Sequence, residues 1–436
     1  MAATITVTIE VAFDGSTFID VSQYARRVTI KYGRERLIED AFQAGSCTIE
    51  VDNRTNWLTP GHSDSTYGNT QLINREVRVR SVVSGGGDSH PTYLWRGRIS
   101  DLNYVAQQST STVYITTIDG FDRLASASIY NQTFSEEYTG LRVAAVLDLA
   151  SVDYPSESDP LDRDIDYGSI KASAASGVTA TALDYIQQLA RTENGRFLIN
   201  QAGTPSATNF GGVASYYAVN ASTVDHGVTV SDAVTLATGS VEAEHLALEW
   251  GSELLYNSYE FTPKSGAVQT GSNAASITKY GERVIKRTLL SDTGDSDEAG
   301  IYFIGLFDEP ALRVSQVIVS IDSAATLTAE KLLHLQVMSA MDLSYLPPGS
   351  STTLASALVI EGVALDITVR DMATNSARIT ATYSTSSADR TGYWILGDAV
   401  QSVLPTTLAP SWLDTTSWRL DDPIRGVLPT ELASTS

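Results

Sequence analysis

Apolar and polar residues alternate with a period of two along much of the chain. Ile5, Val7, Ile9 and Val11 stand against Thr4, Thr6, Thr8 and Glu10, the mark of a strand with one buried face. The same alternation sets Cys47, Ile49 and Val51 opposite Thr48, Glu50 and Asp52, and Val77 and Val79 opposite Arg78 and Arg80. Val28, Ile30 and Tyr32 begin another strand, which Gly33 can end. Asp14-Gly15 reads as a turn and Gly85-Gly86-Gly87-Asp88 as a hairpin tip. Val113 to Ile118 closes a first all-β domain over residues 1–125.

The period then lengthens. Leu141 to Ala150 is helical, with Leu141, Ala144, Ala145 and Leu147 on one face. Thr181 to Arg191 is a second helix, its Leu183, Ile186 and Ala190 spaced to share a face, with Asn194-Gly195 as a stop. Residues 197–200 read as a strand, and 201–240 are weakly patterned, so 126–245 is expected to be a mixed α+β domain. Alternation returns after Leu246, in Val317 to Ile321, Leu365 to Val369 and Ala377 to Tyr383, with a short helix near Ala329–His334. This second β region spans 246–400. The expected fold class is mainly β and multidomain, with an α+β insertion.

The last segment, an arm over 401–436, contains an internal repeat. Residues 393–409 align without gaps on 417–433. Trp394 matches Trp418, Leu404 matches Leu428 and Leu408 matches Leu432, and Val-Leu-Pro-Thr recurs in both copies. Two copies do not make a solenoid. Either the repeat is a duplicated hairpin on the last domain, or it is an extended docking arm whose six Trp and Leu anchors engage two equivalent pockets. A fainter echo pairs Lys31-Tyr32-Gly33 with Lys279-Tyr280-Gly281.

Composition narrows the function. The length of 436 residues suits two to four domains, and 42% hydrophobic residues are enough for real cores. No apolar run is long enough to span a bilayer, and the N-terminus lacks the pattern of a signal peptide, which implies synthesis in the cytoplasm without general export. The single cysteine, Cys47, excludes an intrachain disulfide and falls on an inward strand face, as a buried structural thiol. A net charge of −22 disfavours a phosphate-reading patch. It serves solubility, or a lumen past which DNA slides without sticking.

Candidate chemistry is sparse. There is no phosphate-binding loop, dinucleotide fingerprint or nucleophile elbow. The histidines at 62, 90, 226, 245 and 334 are scattered without ligand spacing. Asp162, Asp164 and Asp166 resemble the start of a calcium loop, but Gly168 comes one position late and Ser173 stands where a glutamate should be. Asp292, Asp295, Asp297 and Glu298 also lack the spacing, and both runs read as solvated turn residues. Trp57, Trp95 and Trp250 lie beside strands, where packing is commoner than sugar stacking. Neither catalytic residues nor a metal or cofactor site is expected.

Several ordered pieces carry a resemblance: YGRER, DAFQAGSCTIEVDNRTNWLTP, LINREVRVR, YLWRGRI and TTIDGFDRL, then LRVAAVLDLA followed by RDIDYG, LDYIQQLARTENGRFLIN, ELLYNSYEF followed by KYGERVIKR, and TGYWILGD. Together they resemble the hub proteins at the distal tail end of long-tailed bacteriophages, over almost the whole chain. The resemblance implies two tube-like β-barrels with an intervening mixed α+β domain. It also implies a homotrimer forming a pseudo-six-fold ring below the tail tube, with tip, spike or fibre proteins beneath and DNA passing through the lumen. It places the chain in the virion tail tip, as a structural protein and not an enzyme. Loops 58–70, 84–92 and 263–276 are candidate interfaces. The alternative is a receptor- or carbohydrate-binding tail protein, with Tyr216, Tyr217, Trp412 and Trp418 as exposed aromatics.

Overall fold

The computed structural model describes residues 3–387 except 35–40, 68–69, 87–91, 107–109, 157–161, 202–211, 220, 222, 238, 252–253, 311, 348–350, 352 and 372–373. The C-terminal repeat and its anchors Trp394, Leu404, Leu408, Trp418, Leu428 and Leu432 therefore lie outside the described residues, as do Trp412 and His90.

The alternating N-terminal segments are strands: β1 (Ile5–Val11), the short β2 (Ile19–Asp20), β3 (Ala25–Gly33), β4 (Gln43–Asp52), β5 (Glu76–Val83), β6 (Thr92–Ala106) and β7 (Ser111–Ile118). In β1, Ile5, Val7, Ile9 and Val11 are all buried, as period-two patterning requires. A mixed part follows, made of α1 (Phe121–Ser126), β8 (Ser128–Phe134), β9 (Glu137–Tyr138), α2 (Thr139–Leu147), β10 (Arg163–Ile165), β11 (Lys171–Ala172), β12 (Ala175–Thr181), α3 (Ala182–Thr192), β13 (Arg196–Asn200) and β14 (Val213–Tyr217). Thr181 caps α3 by accepting from the Asp184 amide at 3.1 Å, satisfying an otherwise orphaned helix donor.

The chain then forms β15 (Val224–Ser231), β16 (Val241–Glu242) and β17 (His245–Trp250). An inserted layer comes next: β18 (Ser258–Thr262), β19 (Gln269–Ser272), α4 (Ala274–Tyr280), β20 (Val284–Thr288) and α5 (Thr293–Phe307). Tyr259, Phe261, Leu289, Ala299, Phe303 and Phe307 make its own core. The last described elements are β21 (Leu312–Ser320), α6 (Thr326–Leu333), β22 (Ser339–Tyr345), β23 (Leu354–Asp371) and β24 (Ser376–Ser387). With strand at 49% and helix at 18%, the protein is mainly β and multidomain.

The Lys-Tyr-Gly echo has no structural counterpart. Lys31 to Gly33 end a strand, whereas Lys279 and Tyr280 end α4 ahead of Gly281. Nor do Asp292 to Glu298 form a loop. Asp292 is the N-cap of α5, accepting from the Asp295 amide at 3.0 Å, and the acidic residues occupy the helix start, where the dipole favours them.

Two long strands organise the sheet. β23, β3, β4, β7, β6, β5, β1 and β24 pair in that order, and β24 pairs back onto β23, closing a ring of strands. A second set of strands leaves the same pair: β22, β15 and β16 extend from β23, and β21 and β17 from β24. The ends of this second path, β16 and β17, are separated in sequence only by Ala243 and Glu244. The Ala243 amide donates to Ser231 O and the Glu244 amide to Ile318 O, so the chain steps from β15 to β21 within two residues.

The switch occurs at one point on β23. Leu354 to Val359 pair with β22, and Gly362 to Thr368 pair with β3. Between them the register against β24 shifts at Ile360/Gly362, leaving Glu361 as the residue of a bulge. Gly33 and Gly362 face each other there. A Cβ on Gly33 would sit 2.5 Å from the Glu361 carbonyl, and one on Gly362 would sit 2.5 Å from the Arg34 carbonyl. Gly33 also has φ +96°, a left-handed conformation that side chains resist.

Candidate interaction surface

The outer face of the sheet is continuous across both sets of strands. Its register sets Asp101, Thr116, Thr48, Thr29, Asp366 and Thr380 side by side from β6 to β24. The next row runs Asn103, Tyr114, Glu50, Arg27, Thr368 and Arg378. A third, Ser46, Lys31, Ala364, Thr382, Ile318 and His245, carries the face through β21 to β17. Under these rows Val28, Ile30, Cys47, Ile49, Ile115, Leu365, Ile367 and Ile379 are buried. β-Branched threonines suit this position because they favour extended backbone and offer hydroxyls to solvent.

Charges on this face are matched. Arg27 makes a two-point pair with Asp366, its Nε donating at 2.8 Å. Arg378 lies 3.7 Å from Glu244, and Arg370 lies 3.1 Å from Asp322 at the margin. The arrangement can present a broad, hydroxyl-rich surface.

The inner side of the same strands is held differently. Glu361 is buried, and its carboxylate accepts from Arg34 Nε at 3.0 Å, Arg196 Nη2 at 3.0 Å and Ser386 Oγ at 2.9 Å. Burial alone would push this carboxyl up. The charges of Arg196 and Arg34, with the bonds from Arg196 and Ser386, overcome it and hold the group down to about 2. Arg34 follows β3, Arg196 opens β13 and Ser386 lies at the end of β24, one residue before Ser387, so this carboxylate ties the sheet to the mixed part. Asp119, just beyond β7, is also buried, but only backbone amides reach it: Gly45 N at 2.8 Å and Phe121 N at 3.1 Å. Burial outweighs those bonds and raises it to about 8.

The loop at 58–67 is anchored by aromatic packing. Trp57 stacks on Tyr24 at 4.3 Å and Phe13 on Tyr67 at 4.0 Å. Trp57 Nε1 donates to Asp52 O, and Tyr104 Oη donates to Leu58 O. The 84–92 tip is described as far as Gly86, whose amide donates to Val83 O. The 263–276 segment contains β19 and the start of α4, with Val268 exposed.

Other sequence candidates are placed plainly. Cys47 is buried and its thiol is raised by burial, with Thr117 opposing, so it is no nucleophile. Tyr216 is fully buried on β14 and Tyr217 is half-buried, which corrects their reading as exposed sugar-binding aromatics. Strand β14 lies between β10 and β13, and this central position buries Tyr216. Trp57 and Trp95 are buried as expected of packing residues. Asp162 is also buried and Asp166 accepts from the Ala218 amide, so neither is a solvated turn residue. Among the described residues no group of three or more His, Cys, Asp or Glu could hold a metal ion. His226 and His334 stack 6.3 Å apart, without a third ligand. The sequence reading missed Glu361. A glutamate before glycine inside the apolar run LVIEGVAL was the available signal.

No family model matches the sequence, and no curated protein matches it either. Solved structures do match in fold. A tail protein from Neisseria meningitidis MC58 superposes with a TM-score of 0.56 at 9% identity, covering 89% of this chain and 99% of that one. The 43 kDa tail protein of prophage MuSo2 from Shewanella oneidensis gives 0.51 at 11% identity, covering 88% and 98%. The chain therefore shares its fold, over most of its length, with these two tail proteins.

Proposed function

We propose that the protein is the structural hub at the distal end of a phage-type tail, with no catalytic role. The observation that carries this reading is the outer face, hydroxyl-rich from β6 to β24 and continued through Ile318 on β21 to His245 on β17. A subunit that presents two strand sets through one shared pair of strands can supply two of six positions around an axis, so three copies match a hexameric tube. In this reading each set is a tube-like barrel, built mainly from 1–125 and 246–400, with 126–245 packed against them apart from β15 and β16, which join the second set. The threonine rows line the channel and offer passing DNA neither a basic stripe nor an apolar patch. The tail tube lies above and tip, spike or fibre proteins lie below. Assembly takes place in the host cytoplasm, and the mature location is the tail tip. The arm at 401–436, with Leu404, Leu408, Trp418, Leu428 and Leu432 and the preceding Trp394 as anchors, docks onto an adjacent tip protein.

Electron microscopy of the purified chain at high concentration tests the hub. Three-fold rings with a hole wide enough for duplex DNA are expected, and compact monomers even with the tube protein added would reject it. Deletion of 401–436 is expected to leave the ring intact and abolish tip attachment.

A further inference from the structure

The chain passes from α3 to β13 through Asn194-Gly195, the single Asn-Gly pair of the sequence. The geometry favours both residues. Asn194 has φ +57°, a left-handed conformation that asparagine tolerates better than other side-chain-bearing residues. A Cβ on Gly195 would lie 2.8 Å from the Tyr217 carbonyl oxygen, so only glycine fits beside β14. Asn-Gly is also the pair most prone to spontaneous deamidation, because glycine leaves its amide nitrogen unshielded. The end of α3 therefore carries a covalent liability that its own geometry makes hard to replace.

The reaction has definite requirements. The Gly195 amide nitrogen attacks Cγ of Asn194 and closes a cyclic succinimide. The Cγ–Nδ2 bond breaks, and the amide proton leaves with the side-chain nitrogen as ammonia. Water then opens the ring at either carbonyl, giving isoaspartate or aspartate. In the folded protein the attacking group is engaged: Gly195 N donates to Ala190 O at 2.8 Å, and Asn194 N reaches Arg191 O at 3.5 Å. These paired bonds close the end of a helix, so the nucleophile belongs to the last turn of α3. The group under attack is held as well, since Asn194 Oδ1 accepts from Arg287 Nη1 on β20. Both residues are half-buried, so water for the hydrolysis is at hand.

We propose that Asn194 is a deamidation site that the fold holds silent and that fraying of the last turn of α3 releases. Helix ends open at lower free energy than a whole domain unfolds, so the reaction follows a local equilibrium. Its consequence reaches beyond the turn. Isoaspartate routes the backbone through the former side chain and lengthens it two residues before Arg196, which pairs with Glu361. Conversion therefore displaces one partner of the buried carboxylate that ties the sheet to the mixed part. None of this depends on the tail reading.

Peptide mapping by mass spectrometry tests it, on the full chain aged in mildly alkaline buffer, either folded or in urea. Conversion at Asn194 is expected in urea and at least about tenfold slower in the folded chain. Arg287→Met removes the bond to Asn194 Oδ1 and should speed the folded-state reaction about tenfold, with the rate at Asn375, between β23 and β24, unchanged. Equal rates in folded and denatured chains, or none in either, overturn the site, as does an Arg287→Met rate equal to the native one. A rise at Asn194 and Asn375 together assigns the protection to the whole fold and rejects the local gate. Hydrogen exchange of the native chain checks the gate without any variant: the Gly195 amide should be protected less than the core amides of β1, and equal protection rejects it. Converted chain should unfold at a lower temperature than fresh chain, and identical unfolding overturns the effect on Glu361.

Discussion

The joint at Glu361 and the threonine face lie on opposite sides of the same strands and obey opposite rules. At the joint every group is enclosed and committed: a bulged carboxylate, two arginines and two glycines with no room for a side chain. On the face, many side chains are short and hydroxylated, and the ion pairs Arg27–Asp366 and Arg378–Glu244 are exposed. Architecture and surface chemistry are therefore separable on β3 and β23, and substitution should expose the difference.

The largest expected effect is at the joint. Glu361→Ala leaves Arg34 and Arg196 buried without their carboxylate and should cost about 3–5 kcal/mol, read by urea denaturation. Asp366→Ala, five residues along the same strand, should cost less than about 1 kcal/mol, because its pair is exposed. If the two variants lost stability equally, the contrast would be false. Next comes Gly362→Ala, whose Cβ would press on the Arg34 carbonyl; a loss of about 2–3 kcal/mol is expected, with no matching loss in Thr368→Ala.

Acid should find the joint as well. The folded pKa of Glu361 lies below its ordinary value of 4.5, so its contribution is complete above that value and is lost as pH falls toward about 2. The swing is about 3 kcal/mol. Asp119 acts in the opposite sense. Its raised pKa makes its contribution complete below 3.8, and that contribution is lost as pH rises through about 8. Together they place the stability maximum near pH 4–5, measurable by thermal unfolding across pH, and Glu361→Gln should flatten only the acid limb. The cap of α5, remote from both regions, contributes a modest effect: Asp292→Ala should cost about 1 kcal/mol.

The strands with clean alternation, such as β1, β4 and β24, were legible because one face of each is buried and the other wet. Helix α3 was legible from its apolar spacing and its Asn-Gly stop. Helix α5 was not. It contains Gly294, Gly300 and Gly305, which argue against a helix, yet Gly300 is needed because a Cβ there would come within 2.3 Å of the Tyr259 ring. The outer face was legible strand by strand as threonines and serines, but not as one surface. Its continuity depends on pairings such as Ile5 with Ala377 and Lys31 with Ala364, which no local pattern encodes.

The late position of β23 and β24 also sets a timetable. The ring begins with β1 and β3, but the strands that close it start at Leu354. During synthesis at about 5–20 residues per second, the free edge of β3 waits roughly 15–60 s for its partner. Unpaired edges invite association with other nascent chains. Arg27 and Lys31, spaced along that edge, give it a charge that delays such encounters until the closing strands emerge from the ribosome.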